Sequence, residues 1–313
     1  MARKMDVIVL NSHGVGQYAY ADRMPVWGET LPVRNWHVAE DGGKGSNVTV
    51  ALGRLGLKVA YIGKVGNDPW GDLGEKWMSD AGADVTYLYR TDEVSTGTGL
   101  ILIGADGKNT VIDGDSSSVK LTVDEVEAAL DDMAESSFFV TGFEVPQHVS
   151  QAGARYAKSL GMTVALNPSP LPEEPMGELA YVDYLFINEV EGRFIEGLAA
   201  DDPLDAHALA RRIKETYGVG NVVMTLGSDG ACALDADGEF FCVAPVPVDT
   251  VVNTAGAGDG FMAATVFGLV RGKTLREAME WASAYAALSV TIDGTIPAYR
   301  PLDEVEAFIA GLV

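Results

Sequence analysis

The chain has 313 residues and is 47% hydrophobic, enough to bury a large core, and no window of it resembles the uncharged apolar run of a membrane span. Lysine and arginine total 22 against 45 aspartates and glutamates, a formal charge of −23, so its mean field repels nucleic acid and anionic lipid and argues against both as partners. The same field opposes an anionic ligand, which must then be held by local features such as a helix N-terminus or a metal ion.

The chain begins "MARKMDVIVL", in which the apolar run is broken by Asp6 and is too short for a signal peptide, so a cytoplasmic location is expected. "DVIVL" (6–10), "VAYIG" (59–63), "SFFVT" (137–141), "TVAL" (163–166), "YLFI" (184–187) and "VVMT" (222–225) are continuous apolar runs that read as strands buried on both faces. Helical patterns lie between most of them, at 46–56, 69–82, 122–133, 146–161 and 203–218. Thr122 and Glu125 suit a capping box, Pro146 and Pro203 suit first helical positions, and Gly56, Gly161 and Gly218 suit C-terminal caps. This alternation predicts an α/β fold: a doubly wound, mostly parallel sheet sandwiched by helices, which binds ligands where strands end and helices begin.

Two segments depart from the alternation. "MPVWGETLPVRNWHVAE" (24–40) alternates apolar with polar residues, and "TGLILIGADGKNTVID" (98–113) reads as a hairpin turning at "ADGK". Together they predict a small antiparallel β lid inserted at about 15–40 and 96–114 of a single domain spanning 1–313, with Trp27, Trp36, Leu100 and Leu102 forming an apolar face that covers a cleft or pairs with a second copy. Near the C-terminus, Cys232 and Cys242 flank "ALDADGEFF", which looks like a hairpin; in a reducing compartment a free-thiol pair is expected. The four histidines are scattered and offer no zinc site.

Four loops at strand or sheet ends could carry chemistry. "DGGKGSN" (41–47) allows close backbone approach, and Asn47 offers a donor and an acceptor to a polyhydroxy ligand. "NEVE" (188–191) puts Asn188 and Glu191 on one helical turn, as a simple cap or as the holder of a hydrated magnesium ion. "TLGSDG" (225–230) is a tight turn suited to passing beneath a nucleotide. "NTAGAGDGF" (253–261) precedes an apolar helix and leaves peptide N–H groups uncovered before Asp259, the construction of an anion site.

In order and spacing these four motifs resemble the ribokinase-like (PfkB) carbohydrate kinase family over essentially the whole chain. The resemblance implies phosphoryl transfer from ATP, with Mg2+, to a hydroxymethyl group of a small sugar or polyol; a nucleoside or pseudonucleoside acceptor is the alternative, and a sensor that keeps the fold without catalysis a further one. It implies that Asp259 is the catalytic base and that Ala255, Gly256, Ala257 and Gly258 form the anion hole for the transferring phosphoryl group. It also implies that Asn188 and Glu191 organise magnesium through water, that Thr225, Gly227 and Gly230 bind the nucleotide, and that Gly42, Gly43, Lys44, Asn47 and Glu144 meet the acceptor. A homodimer formed through the lid is expected. The chain departs from the family pattern where an Asn-x-Asp holds acceptor hydroxyls, since Gly14 and Gly16 occupy those places; His13, Gln17 or Asp22 are candidate substitutes. It departs again at Asn253 and Ala255, beside the family's monovalent-cation site, which leaves K+ activation open.

Overall fold

Val7, Ile8, Val9 and Leu10 are each no more than 1% exposed, so the first strand has protein on both faces, as its unbroken apolar run requires. In the computed structural model, which describes residues 3–104, 109–199 and 202–312, this strand lies inside a nine-stranded sheet. The chain runs through β1 (Val7–Leu10), β2 (Gly14–Tyr20), β3 (Arg34–Val38), α1 (Gly43–Arg54), β4 (Val59–Gly66), α2 (Pro69–Asp80), β5 (Asp84–Thr91), β6 (Gly97–Ile103) and β7 (Asn109–Asp113). It continues through α3 (Val123–Asp132), β8 (Phe138–Gly142), α4 (Gln147–Ser159), β9 (Thr163–Asn167), β10 (Tyr184–Asn188), α5 (Glu189–Ile195), α6 (Ala206–Tyr217) and β11 (Asn221–Thr225). The last elements are β12 (Ala231–Leu234), β13 (Phe240–Val243), α7 (Ala257–Val270), α8 (Leu275–Ser289), α9 (Thr295–Ala298) and α10 (Leu302–Ala310).

The large sheet has the order β13-β12-β11-β10-β9-β8-β1-β4-β5, with every pair parallel except β11 with β12 and β12 with β13 at one end. Two hydrophobic clusters fill its two faces: Val7 and Val9 pack with α1, α7 and α8, whereas Ile8 and Leu10 pack with α3, α4 and α6. All six expected strands and all five expected helices form. The caps differ in detail. Thr122 and Glu125 make their capping box, but Pro146 is the N-cap of α4, and α6 begins after its true cap, Asp205, leaving Pro203 outside.

The small sheet has the order β3-β2-β6-β7; its outer pairs are antiparallel and its central pair, β2 with β6, is parallel. It springs from the end of β1 through Asn11, Ser12 and His13, all buried. Within 24–40 only Arg34–Val38 becomes a strand, because Pro25 and Pro32 cannot donate to a ladder and Gly28 turns the chain with φ +85°. The expected joint apolar face also divides. Leu102 buries with Ala19 and Ala21 against Leu31, Val33 and Leu100, while Trp27 and Trp36 stand in solvent. The "ADGK" turn at 105–108 lies outside the described residues.

The expectation of free thiols is overturned: Cys232 and Cys242 form a disulfide. The hairpin was read correctly, and its register sets the two cysteines directly opposite each other on β12 and β13, with Cα atoms 3.9 Å apart.

One contact fixes the position of α1. The Gly45 N–H donates to Ser12 O at 3.1 Å, and a Cβ on Gly45 would stand 2.3 Å from that same oxygen. Helix propensity alone would favour alanine at position 45 by about 1 kcal/mol. The contact with β1 should reverse that sign, so Gly45→Ala is expected to destabilise the fold by about 1–3 kcal/mol. Urea unfolding followed by circular dichroism measures it; an equal or more stable variant would show that α1 can move away without cost.

Candidate active site

Gly256, with φ +70°, turns the backbone into α7 and caps it. No larger residue fits there, since a Cβ would meet the Tyr299 hydroxyl at 2.4 Å and Thr295 at 2.7 Å. Tyr299 locks the turn by donating to Gly256 O at 2.9 Å. Ala257 N–H is used by Thr254 O, but among the described residues the Gly256 and Gly258 N–H groups donate to no backbone acceptor, and a Cβ on Gly258 would meet only open space. Free N–H groups at a helix N-terminus facing an opening make a site for an anion.

Asp259 follows in the first turn of α7, and its carboxylate is held from the other half of the molecule. Asn47 Nδ2 donates to Asp259 Oδ2 at 2.9 Å, and Lys44 Nζ lies 3.5 Å from Oδ1. Burial favours neutral Lys44, but the charges of Asp259, Glu144 and Glu191 outweigh it and raise its pKa, so the ammonium persists. Asn47 Oδ1 is already occupied, accepting from Thr295 Oγ1 at 2.7 Å and from Gly42 N at 3.4 Å. The amide that looked free to serve a ligand at both ends is thus largely committed to orienting Asp259.

Glu144 lies on the other side of the α1 N-terminus, where its Oε2 accepts from Ser12 Oγ at 2.7 Å and from Lys44 N at 2.9 Å. Burial pushes its carboxyl up to about 7, against Lys44 and Ser12, with Asp259 adding to the rise. Gly43 lies between this carboxylate and the start of β2, since a Cβ there would be 3.5 Å from Glu144 Oε2 and 3.2 Å from Gly14 N. Asp41 completes the group; burial and then the charge of Asp259 raise its pKa.

Asn188 and Glu191 form a reciprocal capping box on α5, each accepting from the other's backbone N–H at 2.8 Å. The simple-cap reading is therefore realised, and Glu191 Oε1 is left over on a side chain close enough to raise the pKa of Lys44. Thr225 ends β11, and Gly227 and Gly230 flank the short turn after it, where a Cβ on Gly227 would meet nothing within 4 Å.

The candidate substitutes for the missing strand anchor do not converge on this gap. His13 is fully buried: Nε2 faces Trp70 O at 3.0 Å and Nδ1 faces Ser46 Oγ at 2.8 Å, and burial lowers its pKa to about 4. Gln17 leaves β2 on the face opposite Gly16 and accepts from Trp36 Nε1 at 2.9 Å, while exposed Asp22 pairs with Arg34. Asn253 bridges two loops, donating to Asp293 Oδ1 at 3.0 Å and accepting from Ala255 N at 2.9 Å. Sequence reasoning missed Ser12, Asp41, Thr295 and Tyr299 as parts of the site. Asp41 opens the motif that was quoted, whereas Thr295 and Tyr299 sit in or beside a four-residue helix with no readable signal.

Comparison with known proteins gives this constellation a family. The description of the pfkB family carbohydrate kinases matches residues 24–301. A deoxyribokinase of Salmonella typhi is 29% identical over 309 residues, covering 98% of this chain and 99% of that protein. The structure of Arabidopsis thaliana ribokinase complexed with ribose and ATP superposes with a TM-score of 0.86 at 24% identity, covering 99% of both chains. A putative ribokinase II from E. coli, in complex with ATP and Mg2+, has a TM-score of 0.78 at 20% identity, covering 98% of this chain and 99% of its own. The chain belongs to the pfkB family of carbohydrate kinases.

The Glu144 shift predicts a pH dependence of stability. A carboxyl raised from 4.5 to about 7 on folding contributes stability that is full below pH 4.5 and is lost as pH rises to about 7. His13, lowered from 6.5 to about 4, works in the opposite sense, losing stability as pH falls through that window. The Glu144→Gln variant isolates the first effect: relative to wild type, its unfolding free energy should rise by up to about 3 kcal/mol between pH 4.5 and 7. Denaturant titrations of both proteins across that range test this, and a constant difference would contradict the burial effect on Glu144.

Proposed function

We propose that this pfkB-family chain transfers the γ-phosphoryl group of ATP to a hydroxymethyl group of a small sugar or polyol, with Asp259 as general base. The observation that carries the reading is the meeting of two helix N-termini, where Asp259 is held between Asn47 and Lys44 beside the open N–H groups of Gly256 and Gly258. Asp259 takes the proton of the attacking hydroxyl, which Gly42, Gly43, Lys44, Asn47 and Glu144 hold in place. The open N–H groups of Gly256 and Gly258, with the Lys44 ammonium, stabilise the charge on the transferring phosphoryl group. The turn at Thr225, Gly227 and Gly230 carries the nucleotide.

No group of three or more His, Cys, Asp or Glu side chains that could cage a metal ion occurs among the described residues. One carboxylate oxygen of Glu191 beside the Asn188 cap fits a magnesium ion that keeps its waters and is held mostly by phosphates. Bound there, magnesium would neutralise phosphate charge during transfer. The acceptor is a neutral sugar or polyol in this reading and a nucleoside in the second; the exposed Trp27 offers the second reading no stacking surface inside the cleft. Among the described residues no helix is long and apolar enough to cross a membrane.

ADP release with ATP, magnesium and a panel of sugars, polyols and nucleosides tests the reading. Asp259→Asn should lower kcat by about 10²–10⁴-fold while ATP binding persists; wild-type turnover in that variant, or ATP binding without turnover of any acceptor, would defeat it. Because the Asn253 amide already joins the loop before α7 to Asp293, we propose that K+ is dispensable: rates in potassium, sodium and choline chloride should agree within about twofold. We also propose that the small sheet, with Met24, Val26, Trp27, Trp36 and Ile112 exposed, pairs with a second copy; light scattering at micromolar concentration should give twice the chain mass, and a monomer would refute it.

A further inference from the structure

The acceptor side of the cleft lacks a side chain on the strand that floors it, since β2 presents Gly14 and Gly16 there. The vacancy is filled from elsewhere. A Cβ built on Gly16 would lie 3.3 Å from Asp41 Cβ and 3.5 Å from Asp41 Oδ2, so the loop before α1 places its carboxylate in the space that a side chain at position 16 would occupy. Asp41 is anchored through its other oxygen: Oδ1 accepts from Gly43 N at 3.4 Å and faces Thr295 Oγ1 at 3.2 Å, whose one proton it shares with the nearer Asn47 Oδ1. Among the described residues no donor stands within 3.5 Å of Oδ2, although the Asn47 amide is near enough to favour the ionised carboxyl, and Oδ2 is not sealed from solvent. Thr295 Oγ1 lies 2.7 Å from Asn47 Oδ1, and Asn47 donates to Asp259, so a short chain of contacts sets the spacing between Asp41 and the catalytic carboxylate.

We infer that Asp41 is the residue that reads the acceptor, taking hydrogen bonds from hydroxyl groups remote from the reacting hydroxymethyl group and restricting the enzyme to neutral acceptors. The inference rests on the kinase reading above. A carboxylate with a free oxygen needs a donor, and a hydroxyl supplies one, whereas the carboxylate of a sugar acid would add a negative charge to a cleft that already holds Asp41, Glu144 and Asp259 against Lys44. His13, Gln17 and Asp22 leave this task undone, being bonded elsewhere.

The experiment is steady-state ADP release from wild type, Asp41→Asn, Asp41→Ala and the double variant Asp41→Ala with Gly16→Asp. The acceptors are D-ribose, 2-deoxy-D-ribose, D-fructose, glycerol and D-gluconate. Asp41→Asn keeps an oxygen for Thr295, so the fold should persist, checked by thermal unfolding. Both single variants should raise KM for the best neutral acceptor by about tenfold or more while KM for ATP and kcat change by less than about threefold, and the preference over gluconate should narrow. The double variant, which returns a carboxylate to the same space from β2, should recover acceptor KM; Gly16 has no positive φ to forbid the change, and its new Cβ needs only the Ile101 Cδ1 end, 3.0 Å away, and the Cβ of residue 41, 3.3 Å away, to give by a few tenths of an ångström. Unchanged acceptor KM in both single variants, or a fall in kcat with a matching rise in KM for ATP, would overturn the role of Asp41 and leave the kinase standing. Absence of turnover by wild type with every acceptor would overturn both.

Discussion

Asn47 and Asp259 are 212 residues apart in the chain, yet Nδ2 of one and Oδ2 of the other are 2.9 Å apart. That hydrogen bond exists only if the N-termini of α1 and α7 face the same gap, and much of the surrounding structure serves this requirement. Gly45 lets α1 press onto the end of β1, and Gly256 lets the chain enter α7 beneath Tyr299. Thr295 ties the arrangement from behind, its hydroxyl 2.7 Å from Asn47 Oδ1 and 3.2 Å from Asp41 Oδ1. Each of these groups would have a different optimum alone; together they leave Asp259 one orientation.

The electrostatics follow from the same geometry. A chain of charge −23 has to receive a polyphosphate, and its surface field works against that. The fold answers locally, with open N–H groups at the start of α7 and a single ammonium, Lys44, surrounded by carboxylates that keep it charged. Glu144 is held in the opposite balance, since burial outweighs Lys44 and Ser12 and pushes its carboxyl up to about 7.

Strands buried on both faces were legible as continuous apolar runs, and the helices between them as periodic patterns with caps, because each signal is local and each element obeys its own propensity. β2 was not legible, since Gly14 and Gly16 weaken a strand pattern that its neighbour β6 and the buried root at Ser12 and His13 enforce. β5 is half exposed along its length and carries neither period cleanly. At the site, Asp259, Lys44, Asn47 and Glu144 come together as their motifs implied. Asp41 and Thr295 were hidden for a different reason: their roles depend on which residues the fold brings opposite them, and Gly16, the partner that gives Asp41 its meaning, is conspicuous in sequence only as a loss.

The order of elements along the chain has a further consequence. Every strand of the large sheet is present once Val243 has been made, but α7 begins only at Ala257. A chain emerging from the ribosome, N-terminus first, therefore carries every strand of its sheet before Asp259 and the open N–H groups at the start of α7 have been made. A copy that stops short of Ala257 would hold Lys44, Asn47 and Glu144 from one half of the cleft without the N-terminus of α7 that faces them.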